Sequence, residues 1–145
     1  MLRVLAKNGK SDKPFCRQAA AVTHDLYLSE FGPELPVTEG LVGRANVRYV
    51  FWAENPDGRV IAASMVKEIS PNYVRILGLA VSEKRQGHGT TIMRKIEATM
   101  PSGTEIELGV DLNKDTTDFL LDWYKRLGYS AQDQNSIEII MRKRV

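Results

Sequence analysis

Apolar and polar positions recur with a period that changes along the chain, and each change marks an element. Met1 to Ala6 reads as a short first strand. Ser11 or Asp12 then stands where a helix cap belongs, Pro14 falls in the first turn, and Phe15, Ala19, Val22 and Leu26 share one helical face. Phe31-Gly32-Pro33 stops that helix. From Glu34 to Ala45 no period survives. Pro36, Gly40 and Gly43 make this stretch a loop with room for one helical turn, and so an expected substrate-facing segment. A strand is predicted from Val47 to Glu54, a turn at Asn55-Pro56-Asp57-Gly58, and a second strand from Arg59 to Ile69, which together make a hairpin. Ser70-Pro71-Asn72 turns the chain into a third strand, Tyr73 to Val81, apolar on both faces as suits the middle of a sheet.

Beyond Val81 the pattern turns helical, with Ile92, Met93, Ile96 and Met100 on one face and Pro101-Ser102-Gly103 as the stop. Thr104 to Asp111 alternates: Ile106, Leu108 and Val110 face one way, Glu105 and Glu107 the other. Phe119, Leu120, Trp123, Tyr124 and Leu127 form the stripe of a last helix, from about Asp115 to Leu127, with Gly128 as its cap. Ser136 to Arg142 reads as a closing strand. The expected fold is α/β, a single mixed central β-sheet flanked by helices. No linker or repeat divides the chain, so residues 1–145 are expected to form one domain.

Composition narrows the function. A formal charge of +2 gives no ground for direct nucleic-acid binding, and the basic run Met141-Arg142-Lys143-Arg144 reads as a solvated strand end. No apolar run approaches the roughly 20 residues that cross a bilayer. The first residues lack the long apolar core of a secretory signal, so no membrane partner and a cytoplasmic location are expected. The single cysteine, Cys16, excludes an internal disulfide and reads as a small apolar helix residue. No metal-ligand spacing and no Ser/His/Asp or Cys/His arrangement occurs, and His24 reads as solvent-exposed.

The chemistry concentrates between strand and helix, in Val81-Ser82-Glu83-Lys84-Arg85-Gln86-Gly87-His88-Gly89-Thr90. Two glycines let a ligand approach the backbone, and a helix starting at once behind them offers unpaired amides and a positive dipole end. This arrangement binds phosphate, and Lys84, Arg85 and His88 would give it a basic rim. It is not a Walker loop, since no Gly-Lys-Ser/Thr follows. Nor is it a dinucleotide fingerprint, since no third glycine stands at the right spacing.

These residues resemble the acetyl-coenzyme A signature of the GNAT N-acetyltransferase superfamily, Arg/Gln-x-x-Gly-x-Gly/Ala, with Gly87 and Gly89 matching and Lys84 in the place of the usual Arg or Gln. A second stretch, Asp122-Trp123-Tyr124-Lys125-Arg126-Leu127-Gly128-Tyr129, is similar to the family's Leu-Tyr-x-Lys-x-Gly-Phe segment, while Thr117 and Leu120 replace its usual Asn and Ala. The resemblance implies acetyl-CoA as co-substrate, with its diphosphate over Lys84, Arg85, Gln86, Gly87, His88, Gly89 and Thr90. Its pantetheine arm would lie along Leu79, Ala80 and Val81.

The same resemblance implies direct acetyl transfer to a primary amine of a protein or small molecule, with Tyr124 as proton donor to the leaving thiolate. The fourth-strand acid that serves many members as base is absent, since Arg75, Leu77 and Gly78 occupy those positions. Glu68, Glu107 and Asp111 are the nearby carboxylates, each of which also reads as a surface group, and a water chain is the alternative. The acceptor is expected between Glu34–Ala45 and Asp111–Asp115, although those two aspartates also suit helix capping. A GNAT-like module that binds CoA without catalysis is the competing reading, and homodimerisation stays open.

Overall fold

The computed structural model describes residues 1–34 and 36–145; of the irregular segment expected at Glu34–Ala45, Leu35 lies outside the described residues. In chain order the elements are β1 Leu2–Ala6, α1 Lys13–Phe31, α2 Glu39–Arg44, β2 Val47–Glu54, β3 Val60–Ser70, β4 Tyr73–Val81, α3 His88–Thr99, β5 Glu105–Asp111, α4 Thr117–Arg126, β6 Ser130–Gln134 and β7 Glu138–Arg144. One seven-stranded sheet runs in the order β1-β2-β3-β4-β5-β7-β6. Every pairing is antiparallel except β4 with β5, which the α3 crossover makes parallel.

The sheet separates two apolar layers. Phe15, Cys16, Ala19, Leu26 and Tyr27 of α1 pack with Val42 of α2 on Val47, Val50, Trp52, Ala63 and Met65. On the opposite face Ile92, Met93 and Ile96 of α3 and Tyr124 of α4 pack on Val74, Ile76, Ile106, Leu108, Val110 and Met141. Asp12 caps α1 by accepting from the Phe15 amide at 2.9 Å, as its position predicts. Thr38 caps α2 in the same way, so the expected helical turn in the loop is a six-residue helix. His24 is half-buried, its Nδ1 3.2 Å from the Val37 carbonyl oxygen, which replaces the expected free exposure. Among the described residues no helix is long and apolar enough to cross a membrane.

Burial raises the phenol pKa of Tyr27, Tyr124 and Tyr129, that of Tyr124 to about 12. Each phenol therefore ionises more easily in the unfolded chain, near pH 10, than in the fold. Their contribution to stability is full below about pH 10 and lost as pH rises through the folded values. Melting temperatures should therefore fall above about pH 10 as tyrosinate absorbance appears. An undiminished melting temperature at about pH 12 would contradict the burial of these hydroxyls.

Candidate active site

Strands β4 and β5 pair only at Tyr73–Glu105, Val74–Ile106 and Arg75–Glu107. Beyond that point β4 stays with β3 and β5 stays with β7, so the two part, and the β4 edge from Ile76 to Val81 has no partner on the β5 side. At the parting β4 bulges: Ser64 pairs with Leu79 but Met65 with Leu77, which leaves Gly78 as the extra residue. Gly78 has φ +80°, and a methyl group there would come within 3.2 Å of the Phe31 ring and 3.3 Å of the Tyr27 ring. The buried Tyr27 hydroxyl is 2.8 Å from the Leu77 carbonyl and 3.0 Å from that of Gly78, and accepts from the Met65 amide at 3.1 Å. Ser64 Oγ donates to the Gly78 carbonyl at 2.7 Å. Helix α1 thus pins the bulge. Sequence reasoning missed Tyr27 and Ser64, because an aromatic on an apolar helix face carries no mark of what its hydroxyl bonds. The glycine inside an otherwise apolar strand was the available signal.

The loop from Ser82 to Gly87 leads into α3. Arg85 (φ +63°) and Gly87 (φ +79°) are both left-handed, and Gly87 is the helix N-cap with no side chain bonded to the first turn. The Thr91 amide and hydroxyl both close on the Gly87 carbonyl at 3.0 Å. Among the described residues the amides of Gly87, His88, Gly89 and Thr90 donate no hydrogen bond, so four donors stand free at the positive end of the helix. A side chain on Gly87 would point into open space, whereas a methyl on Gly89 would lie 3.3 Å from the Trp123 ring and 3.6 Å from Leu79 Cδ2. The Lys84 ammonium is engaged by Glu30 of α1 and by the Val81 carbonyl. Among the described residues, Arg85 and His88 are the basic side chains of the loop without an ion-pair or hydrogen-bond partner.

Tyr124 is 8% exposed and stacks in a chain of aromatic contacts between Trp123, at 4.8 Å, and Tyr129, at 6.1 Å. Its hydroxyl makes no hydrogen bond among the described residues, and desolvation alone accounts for its pKa of about 12. Tyr129 is fixed separately by a bond from its hydroxyl to Glu97 at 3.1 Å.

Helix α4 begins at Thr117, not at Asp115, and no side chain caps it. Thr117, which replaces the family's Asn, receives the Lys114 amide at 3.1 Å and donates to the Asp111 carbonyl at 2.7 Å, closing the β5–α4 connection. The capping role for Asp111 and Asp115 is therefore absent, and both carboxylates are exposed.

Of the three candidate bases, Glu107 is not the surface group expected: it is 7% exposed and held by Tyr73, by Arg75 at 2.7 Å and by Arg142 at 2.9 Å. Burial pushes its carboxyl up, but the bonds from Tyr73, Arg75 and Arg142 outweigh it and hold the group below the ordinary carboxylate range. A carboxylate so occupied is a weak base. Glu68 is half-buried and pairs with Arg48 at 3.2 Å. Among the described residues no group of three or more His, Cys, Asp or Glu side chains could hold a metal.

Residues 19–129 match the acetyltransferase (GNAT) family. The chain belongs to the GNAT family. Solved structures share the fold across essentially the whole GNAT chain. A PaiA N-acetyltransferase from Thermoplasma acidophilum, crystallised with coenzyme A, is 12% identical with a TM-score of 0.66, over 100% of this chain and 99% of its own. The ribosomal-protein-S18-alanine N-acetyltransferase of Escherichia coli is 16% identical with a TM-score of 0.65, over 100% and 94%. An aminoglycoside 6'-N-acetyltransferase from Enterococcus faecium is 17% identical with a TM-score of 0.68, over 99% and 96%. No protein of curated function matches the chain by sequence. At these identities the structural likeness is one of fold.

Proposed function

We propose that this chain moves an acetyl group from acetyl-CoA to a primary amine. The observation that carries the reading is the free amide cluster at Gly87–Thr90, set at the end of a strand edge that has lost its partner, with the Tyr124 phenol on the helix beside it. The diphosphate would sit on the amides of Arg85, Gln86, Gly87, His88, Gly89 and Thr90, and Arg85 and His88 would supply the positive rim. Lys84 would join only by leaving Glu30. The pantetheine amides would pair with the backbone of Leu79, Ala80 and Val81 as an added strand pairs with a sheet edge.

In the reaction an amine freed of its extra proton attacks the thioester carbonyl. The tetrahedral intermediate collapses, the C–S bond breaks, and the thiolate takes a proton from Tyr124. The remaining nitrogen proton leaves to solvent as the amide forms, and Tyr124 is restored from solvent. A phenol held near 12 is fully protonated at neutral pH, and the dry surroundings that raise it also raise the proton affinity of the departing thiolate. With Glu107 occupied, water is the route for the amine's proton. The acceptor would approach between the α1–α2 connection and Asp111–Asp115.

The competing reading, a CoA-binding module without catalysis, is favoured by the Lys84–Glu30 pair and by the absence of an acid on β4. Both readings predict CoA binding, and Trp123 reports it. The chain has two tryptophans, and Trp52 is buried under α1 on the other side of the sheet. Adding CoA should change the emission of the indole that lies against Gly89 and Leu79, and Trp123→Phe should remove that change. Emission that stays constant while calorimetry shows saturation would place the cofactor elsewhere. Release of free thiol from acetyl-CoA on adding amines then separates enzyme from module, because only the enzyme turns over.

A further inference from the structure

The structure brings a carboxylate to the parting of β4 and β5 from a strand far away in sequence. Leu77 packs in the α1-side layer, and Ile106, Leu108 and Val110 lie in the opposite core. By strand alternation Arg75, Glu107, Gly109 and Asp111 therefore face the α1 side. On that side Arg75 bridges two acids, with Nη1 on Glu107 at 2.7 Å and Nη2 on both oxygens of Glu138 of β7 at 2.9 and 3.0 Å. The Glu138 carboxylate crosses β5 above Gly109. A methyl on Gly109 would overlap that carboxylate and lie 2.7 Å from Arg75 Nη2, so the missing side chain is what makes room for the pair.

Gly109 lies two residues past the last β4–β5 pair, beside the wedge where the thioester would emerge. Asp111 is the cross-strand partner of Glu138 and has no ion-pair partner among the described residues. Like charges directly opposite on adjacent strands repel. Counting the network with Asp111, two guanidiniums, Arg75 and Arg142, face three carboxylates, Glu107, Glu138 and Asp111. One negative charge is left over, at the end nearest the wedge.

We propose that Glu138, set in place by Arg75 and Gly109 and facing Asp111, receives the acceptor's ammonium and selects alkylammonium acceptors. The inference rests on the acetyltransferase reading. Among the described residues Arg75 Nη2 is the only donor to the Glu138 oxygens, and a carboxylate has lone pairs left for a second cation. Glu138 was not among the candidates from sequence, since the pairing of β7 across β5 with Arg75 is a matter of register.

The test is steady-state kinetics with acetyl-CoA and a panel of 1,4-diaminobutane, glycinamide, a lysine-containing peptide and aniline, the last uncharged at neutral pH. In Glu138→Gln the Michaelis constant for the alkylammonium acceptors should rise about tenfold or more, the worth of a bond to a charged group, while those for aniline and acetyl-CoA stay put. Gly109→Ala keeps every charge but moves the carboxylate, and should act in the same direction; it decides the matter if Glu138→Gln no longer binds CoA. An active wild type whose amine Michaelis constants are unaltered in the variants overturns this inference alone, and leaves Glu138 as a structural partner of Arg75. A wild type inactive with every amine overturns the acetyltransferase reading and this inference with it.

Discussion

Tyr124→Phe should lower turnover by about 10²–10⁴-fold, the range for loss of a positioned general acid, and leave acetyl-CoA affinity nearly unchanged. The substitution removes one oxygen that has no partner among the described residues and leaves the ring between Trp123 and Tyr129. Packing is conserved and no buried donor is orphaned, so the fold should tolerate it. A proton given to the thiolate exists as an interaction only in the transition state, so its loss should appear in kcat and not in ground-state binding. The pH profile of the wild type carries a matching signature. With the phenol raised to about 12, no loss of rate from its ionisation should appear near pH 10. Turnover within about a factor of two of wild type would reduce Tyr124 to a core aromatic.

Bulky replacements at Gly87 and Gly89 should abolish CoA binding through different contacts. Gly87 holds φ +79° with nothing near the position of a side chain. A β-branched residue such as valine there costs roughly 1–2 kcal/mol in backbone strain and covers the free amides at the start of α3. At Gly89 the backbone is ordinary, but a side chain meets the Trp123 ring at 3.3 Å and must push α4 from Leu79. Circular dichroism should show both folds retained, since neither glycine is in a core layer. Calorimetry should show no CoA binding for Gly87→Val. An unaltered affinity would mean that the diphosphate does not rest on this helix end.

Legibility in the sequence tracked how strongly burial marks each residue. β4 and α3 bury apolar stripes, and the pattern located both, together with the glycines between them. β6, Ser130–Gln134, was absent from the sequence reading because all five residues are exposed: an edge strand of polar residues has no alternation to detect. The closing strand runs from Glu138, two residues later than its pattern suggested, because Ser136 and Ile137 belong to the β6–β7 turn. The start of α4 was misplaced for a related reason: Asp115 suits a cap by type, but the Thr117 hydroxyl closes the connection instead.

Site residues divided in the same way. Gly87, Gly89 and Tyr124 stand in local patterns, and the start of α3 meets α4 where Gly89 lies against the Trp123 ring. Lys84 was expected at the rim, but its partner, Glu30, lies 54 residues away on α1. Glu107 passed for a surface carboxylate because alternation puts it opposite Ile106. Only the β4–β5 and β5–β7 registers show that Arg75 and Arg142 close over it. Tyr27, Arg75 and Glu138 act through partners brought by sheet pairing, and no spacing in the chain announces them.

Incubation of the purified chain with acetyl-CoA and mixed primary amines, followed by free thiol and by the mass of the amine product, separates an acetyltransferase from a CoA-binding module. Thiol release should depend on amine, be matched by one acetyl group gained on the amine nitrogen, and be abolished in Gly87→Val. CoA binding by calorimetry with no amine-dependent thiol release across alkylamines, peptides and aminosugars would contradict the acetyltransferase reading and leave a CoA-binding module.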